Sequence, residues 1–197
     1  KEAGLQIRYE ATLMAGTPAV SMGVESLAGC KIEAVRGIVN GTTNYILCEM
    51  EKGLSYQDAL KQAQELGYAE TDPTADVEGW DAAAKVLIML DAFFGIDFSL
   101  GDISVSGITV VSKDDIESAK ANGERYKLIA SATRHEGSVK AVRVPLSDPL
   151  SHVSGATNAL TFQTDLMGDV TVIGAGAGQK ETGFALLADL LAIHRSV

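Results

Sequence analysis

The run RYKLIASATRHEGSVKAVRV, Arg125–Val144, decides how the rest of the chain is read. Arg125–Arg134 and Ser138–Val144 each have the composition of a strand. His135-Glu136-Gly137 between them predicts a hairpin turn. Asn158–Leu166 and Asp169–Ile173 predict two more strands, and Thr182–His194 predicts a closing amphipathic helix. Upstream, helices dominate. Leu5–Tyr9 alternates weakly and predicts a short strand, Pro18–Leu27 a short helix opened by Pro18, and Lys31–Val39 a strand. Tyr45–Lys52 predicts a helix ended by Gly53, and Ser55 with Asp58 opens another that stops at Gly67. Glu78–Phe94 predicts a third, with Trp80, Ala83, Ala84, Leu87 and Ile88 in helical steps, and Asp114–Asn122 a surface helix. Helices gathered early, and strands without a steady βαβα beat, define an α+β class: a mixed β-sheet with helices packed mainly on one face.

Composition sets the outer bounds. The 197 residues are 46% hydrophobic and 21% charged, which is globular rather than disordered. A formal charge of −10 excludes a nucleic-acid partner, because phosphate backbones are bound by Lys and Arg. The run Val86–Leu90 is broken by Asp91, far short of the roughly 20 residues of a membrane helix, so no membrane partner is expected. Cys30 and Cys48 make neither a disulfide framework nor a zinc cluster; they read as small apolar residues of a reducing, cytoplasmic compartment. Lys1–Gly4 reads as the tail of a helix capped by Gly4, so a segment upstream is expected.

The stretch richest in chemistry is GYAETDPTADVEGWDAAAK, Gly67–Lys85. Glu70, Asp72, Asp76, Glu78 and Asp81 put five carboxylates within twelve residues, followed by the amine of Lys85. Asp81 and Lys85 stand at i and i+4, on one side of the predicted helix. An exposed pair of this kind is worth only ~0.3–0.5 kcal/mol. The neighbours Ala82, Ala83, Ala84, Val86 and Leu87 argue for burial instead. A lysine between desolvation and a carboxylate can exchange a proton, although a buried ion pair can also be purely structural.

Three other places are candidates. GAGAG, Gly174–Gly178, follows a strand and precedes a helix, so its backbone can approach a phosphate or nicotinamide closely, or it is simply a tight turn. With no second strand after it and no acid about 20 residues on, it is not a complete dinucleotide fold. Asn40-Gly41-Thr42-Thr43-Asn44 offers Thr42 or Thr43 as a helix cap, at a terminus that also suits a polar ligand group. Glu10 and the small-residue loop after it offer a carboxylate and bare carbonyls, a hard-cation pattern.

Taken together, YEATLMAGTPAV (Tyr9–Val20), VRGIVNGTTNYIL (Val35–Leu47) and the Gly67–Lys85 motif resemble the substrate-binding domain of the homoserine dehydrogenase family. Their order and spacing fit too, and the resemblance spans essentially the whole chain. It implies reversible, NADP- or NAD-dependent interconversion of homoserine and aspartate-4-semialdehyde, in threonine, methionine and isoleucine biosynthesis. It implies Lys85 as the proton-transferring residue, with Glu70 and Asp81 completing the catalytic set and binding the amino-acid end of the substrate. Thr42 and Tyr68 join them as substrate contacts. Gly67, Gly176 and Gly178 would line the reactive end of the cofactor. Glu10, with the carbonyls of Leu13, Ala15 and Thr17, would match a monovalent-cation (sodium) loop. The family's nucleotide-binding unit, a lysine near that unit's end, and an ACT-type tail have no counterpart in these residues. The chain is therefore expected to be the substrate and dimerisation half, inactive alone and homodimeric. The segment from about residue 174 onward would pack on the nucleotide-binding half, leaving Phe184, Leu187, Leu190 and Leu191 exposed without it. The alternative is a non-catalytic amino-acid-binding or dimerisation module.

Overall fold

A computed structural model of the chain describes residues 5–195. The expected helix tail at Lys1–Gly4 lies outside them. After a 3-10 turn at Glu10–Thr12 come α1 (Ala19–Ser21), a π turn at Met22–Ser26, β1 (Ile32–Ile38), α2 (Gly41–Glu51) and α3 (Tyr56–Glu65). Next are α4 (Thr74–Val77), α5 (Trp80–Met89), a π turn at Leu90–Phe94, β2 (Ile103–Ser106) and α6 (Lys113–Ala121). The chain closes with β3 (Glu124–Thr133), β4 (Gly137–Pro145), a 3-10 turn at Pro149–His152, β5 (Thr157–Thr164), β6 (Gly168–Ala175) and α7 (Gln179–Arg195).

The six strands form one sheet in the order β2-β4-β3-β1-β5-β6. Only β2 runs parallel to its neighbour, β4; the other pairs are antiparallel, so the sheet is mixed as expected. The hairpin joins Ala132 to Gly137 across the predicted turn. Register sorts side chains onto two faces, because successive residues of a strand alternate. Val35 lies opposite Ala132 and Phe162, and with Leu128, Ala130, Val139 and Leu160 these residues enter the main core under the helices. Phe93, just past α5, meets Phe162 edge-on at 5.2 Å. On the opposite face Ile38, Ile129, Val144 and Ala159 form a smaller cluster beneath Leu150 and Val153. Gly37, in central β1, is a close-approach glycine: a Cβ there would lie 2.1 Å from the Ala159 carbonyl.

Local chemistry explains the helix boundaries. Ser55 and Ser112 accept from the amides of Asp58 and Asp115 and so cap α3 and α6. Gly67 and Gly95, at φ 75° and 66°, take the left-handed turns just beyond α3 and the α5 extension.

Four expectations need correction. Leu5–Tyr9 is not a strand; Leu5 and Ile7 are exposed and pair with no edge. Alternation without a partner edge gains no ladder. The second helix begins at Gly41, not Tyr45, because Asn40 caps it through Thr43 N, a role expected of Thr42 or Thr43. The polar stretch after Tyr68 contains the short α4. The strand β2 was not foreseen; its four residues depend on β4, more than thirty positions away.

Candidate active site

The C-terminal end of β1 positions the first wall. Val39 and Asn40 leave the strand and turn into α2. Asn40 is 5% exposed, and its amide does two jobs. Oδ1 accepts from Thr43 N at 2.9 Å, which caps the helix. Nδ2 donates to Asp76 Oδ1 at 2.6 Å and to Asp81 Oδ2 at 2.9 Å, tying two carboxylates to one residue.

The second wall is the turn through α4 into α5. Gly79, at φ 92°, allows the sharp entry to α5 and puts Asp81 in its first turn. One turn later Lys85 Nζ donates to Asp81 Oδ2 and to the Val39 carbonyl, each at 2.8 Å. Its side chain is 19% exposed. An ammonium has three N–H groups; two are occupied by these partners, which leaves one for an incoming oxygen. Burial pushes the Asp76 carboxyl up from its ordinary value. The Asn40 hydrogen bond opposes that shift, while the charge of Asp81 adds to it.

Tyr68 stacks obliquely on Tyr45 at 5.1 Å, and its carbonyl accepts from Thr42 Oγ1 at 2.5 Å. This ties the segment after α3 to the start of α2. Glu70 is exposed at the cleft wall.

The third wall is the end of β6 and the strip Gly174–Gly178, with Ala156–Asn158 beside it. All these elements surround one cleft of about 990 Å³. Glu70, Asp81, Lys85, Thr42, Tyr68, Gly67, Gly176 and Gly178 all line it. The structure thus brings together eight residues separated by up to 136 positions in sequence. Asn40, Asp72, Asp76 and Asn158 share the cleft and had received no role from the sequence. Only Asn40 had a usable signal, as a strong N-cap type before a helical run. Asp76 is one of five acids that composition cannot rank.

Glu10, Leu13, Ala15 and Thr17 do not line the cleft; they form the loop behind its glycine rim. Ala15 N and Gly16 N donate to the carbonyls of Gly176 and Ala175 at 3.0 and 2.9 Å, and Thr17 Oγ1 donates to Ala175 O. Both Glu10 carboxylate oxygens accept backbone amides, from Val20 at 2.8 Å and Ser21 at 2.9 Å. The carboxylate thus braces α1, and a cation in this loop would rest on backbone carbonyls. Among the described residues no cluster of three or more His, Cys, Asp or Glu side chains could hold a metal.

For a nicotinamide cofactor, two features fit. Gly176 leaves a cradle that a Cβ would fill, 2.0 Å from Asn158 Nδ2. Asn158 Oδ1, beneath it, is buried without a partner among the described residues.

An α+β domain that sets an amine steadied by acids against a bare glycine rim in one cleft has the layout of an enzyme's ligand-binding domain. A family model for homoserine dehydrogenase matches residues 18–191, and the chain belongs to that family. It is 48% identical over 193 residues to the NAD(+)-dependent homoserine dehydrogenase of Pseudomonas canavaninivorans, covering 95% of this chain and 55% of that protein. A homoserine dehydrogenase structure from Thiobacillus denitrificans superposes with a TM-score of 0.92 at 38% identity, over 96% of this chain and 45% of that one. A hyperthermophilic archaeal homoserine dehydrogenase in complex with NADPH superposes at 0.86 and 29% identity, over 100% of this chain and 58% of that one. The chain spans about half the length of the curated relatives it matches.

Proposed function

We propose that this chain is the substrate-binding half of a homoserine dehydrogenase, interconverting aspartate-4-semialdehyde and homoserine with NAD or NADP. The observation that carries the reading is Lys85, held at 2.8 Å by Asp81 and by the Val39 carbonyl, with one N–H remaining, in a cleft rimmed by Gly174–Gly178.

The roles follow from charge. Reduction of an aldehyde builds negative charge on its oxygen. An ammonium aimed at that oxygen stabilises the charge and then supplies the proton. Lys85 does this, and Asp81 with Val39 fixes its direction. Asn40 in turn holds Asp81, so the amine sits on a braced chain of hydrogen bonds. Glu70, Asp76 and Asp81 give the cleft the negative charge that suits a substrate ammonium, and Thr42 and Tyr68 shape the wall beside them. A bound nicotinamide would supply the hydride chemistry at the substrate carbon. Gly67, Gly176 and Gly178 admit its ring by presenting backbone alone. A sodium ion held by Glu10 with the carbonyls of Leu13, Ala15 and Thr17 would stiffen the loop that holds that rim.

The same reading accounts for two surfaces. Phe184, Leu187, Leu190 and Leu191 on α7 are 42–65% exposed, a row of apolar side chains suited to a nucleotide-binding half. The sheet face beyond the Pro149–His152 turn, where β6 carries the half-buried Thr171 and the exposed Ile173, suits pairing with a second copy. A cytoplasmic setting fits the biosynthetic chemistry. Among the described residues no helix is long and apolar enough to cross a membrane.

The test is direct. The full-length enzyme containing this chain oxidises NADPH or NADH with aspartate-4-semialdehyde, whereas the 197 residues alone do not. Turnover by the isolated chain would overturn the division of labour, and no turnover by the full-length enzyme would overturn the assignment.

A further inference from the structure

Asn158 has no catalytic or substrate-binding task in the reading above, yet it is the most anomalous polar group in the cleft. It is the second residue of β5, opposite Gly174, on the helix-covered face of the sheet, is 2% exposed, and lines the cleft beside Gly174–Gly178. Its Oδ1 is buried and has no hydrogen-bond partner among the described residues. Buried polar groups in native proteins are nearly always paired, so an orphan inside a ligand cleft marks a partner that arrives with the ligand.

The glycine strip is built around it. A Cβ on Gly174 would lie 2.2 Å from Thr17 Oγ1, and one on Gly176 would lie 2.0 Å from Asn158 Nδ2. Each glycine makes room for one polar side chain. Thr17 uses its room to donate to the Ala175 carbonyl at 3.2 Å. Asn158 occupies the same kind of space without any such bond.

We infer that Asn158 reads the carboxamide of the nicotinamide ring, an inference that rests on the function proposed above. A neutral side-chain amide offers a donor and an acceptor side by side. An ammonium would use only the acceptor and a carboxylate only the donor; a primary carboxamide matches both. Charged parts of a ligand already have partners on the opposite wall, in Asp76, Asp81 and Lys85. The carboxamide is attached to the ring carbon next to the one that exchanges hydride. Whatever recognises it must share the cleft with the proton donor, and Asn158 and Lys85 line the same cleft. The carboxamide N–H donates to Asn158 Oδ1, which fixes the rotation of the ring's substituent and with it the face presented to substrate.

The experiment compares two nucleotides on the full-length enzyme: the preferred nicotinamide dinucleotide and its 3-acetylpyridine analogue, in which a methyl group replaces the amide NH2. Dissociation constants come from calorimetry and melting temperatures from scanning. Wild type should favour the parent nucleotide by about fivefold to tenfold, as one net hydrogen bond implies. Asn158→Ala should weaken the parent by a similar factor, leave the analogue within about twofold, and keep homoserine affinity. Its melting temperature should not fall, since no intramolecular hydrogen bond is removed. A preference that survives in Asn158→Ala, or equal losses for both nucleotides with a lowered melting temperature, overturns the inference and leaves the enzyme assignment intact. If the variant fails to fold, wild type binding both nucleotides equally still overturns it. Wild type binding neither nucleotide overturns both readings.

Discussion

Replacing Lys85 with alanine separates the proton-transfer role from a structural one. The side chain is 19% exposed and makes two hydrogen bonds of 2.8 Å, to Asp81 and Val39. In Lys85→Ala, Asp81 keeps the Asn40 amide at 2.9 Å, so its carboxylate is not orphaned. The Val39 carbonyl loses a partner, which costs about 1–3 kcal/mol if no water replaces it. For a domain of this size each kcal/mol lowers the melting temperature by about 2–4 °C, so a fall of about 2–12 °C is expected. The ion pair itself adds little, because solvent reaches part of both side chains. The catalytic effect is larger. Losing a positioned general acid costs about 10²–10⁴ in rate, equivalent to ~3–5 kcal/mol of barrier. The assay follows NADPH or NADH absorbance during aspartate-4-semialdehyde reduction by the full-length enzyme, well below the variant's melting temperature. The expected result is a kcat reduced by at least about a hundredfold with KM changed only severalfold. An unchanged kcat with a raised KM would refute the reasoning, because Lys85 would then be a uniform binding contact.

Two further perturbations test neighbouring parts of the network. Burial raises the Asp76 carboxyl, so the native state binds that proton more tightly than the unfolded chain, and stability falls as pH rises from the ordinary Asp value through the raised one. Asp76→Asn should flatten that slope in urea titrations from about pH 4 to pH 7 while weakening homoserine binding; an unaltered slope would contradict the assignment. Lys127 is 1% exposed and donates to Asn44 Oδ1 at 2.9 Å, the Val153 carbonyl at 2.5 Å and Cys48 Sγ at 3.5 Å. Burial lowers its ammonium below the ordinary lysine value, so its titration makes stability climb with pH between the two values. Lys127→Met removes that climb but orphans Asn44 Oδ1, while the Val153 carbonyl keeps the Asn44 amide at 3.3 Å, and should destabilise the fold by about 1–3 kcal/mol at neutral pH; urea melts matching wild type would refute this.

Much of the scaffold was legible because its causes are local. The hairpin of β3 and β4 follows from strand composition on either side of His135-Glu136-Gly137, and the cap at Ser55 needs only the next few residues. Asp81 and Lys85 meet because four residues make about one helical turn. Other readings failed because their causes are distant. Leu5–Tyr9 has weak strand alternation but no edge to join, whereas the four residues of β2 become a strand only beside β4. Asn40, Thr42 and Thr43 are all good cap types; contact with Asp76 and Asp81 gives Asn40 its second task.

By itself the sequence determined the α+β class, the helix stops and the pairing of an acid with an amine, because these rest on periodicity and steps of a few residues. Only the tertiary structure decided that the end of β1, the α4–α5 turn and the glycine strip after β6 enclose a single cleft. It also decided which of five acids face that cleft, and that Asn158 lies unpaired under Gly176. Those facts arise from strand order and register, which bring residues more than a hundred positions apart within hydrogen-bonding reach and fix which carboxylates lose their water.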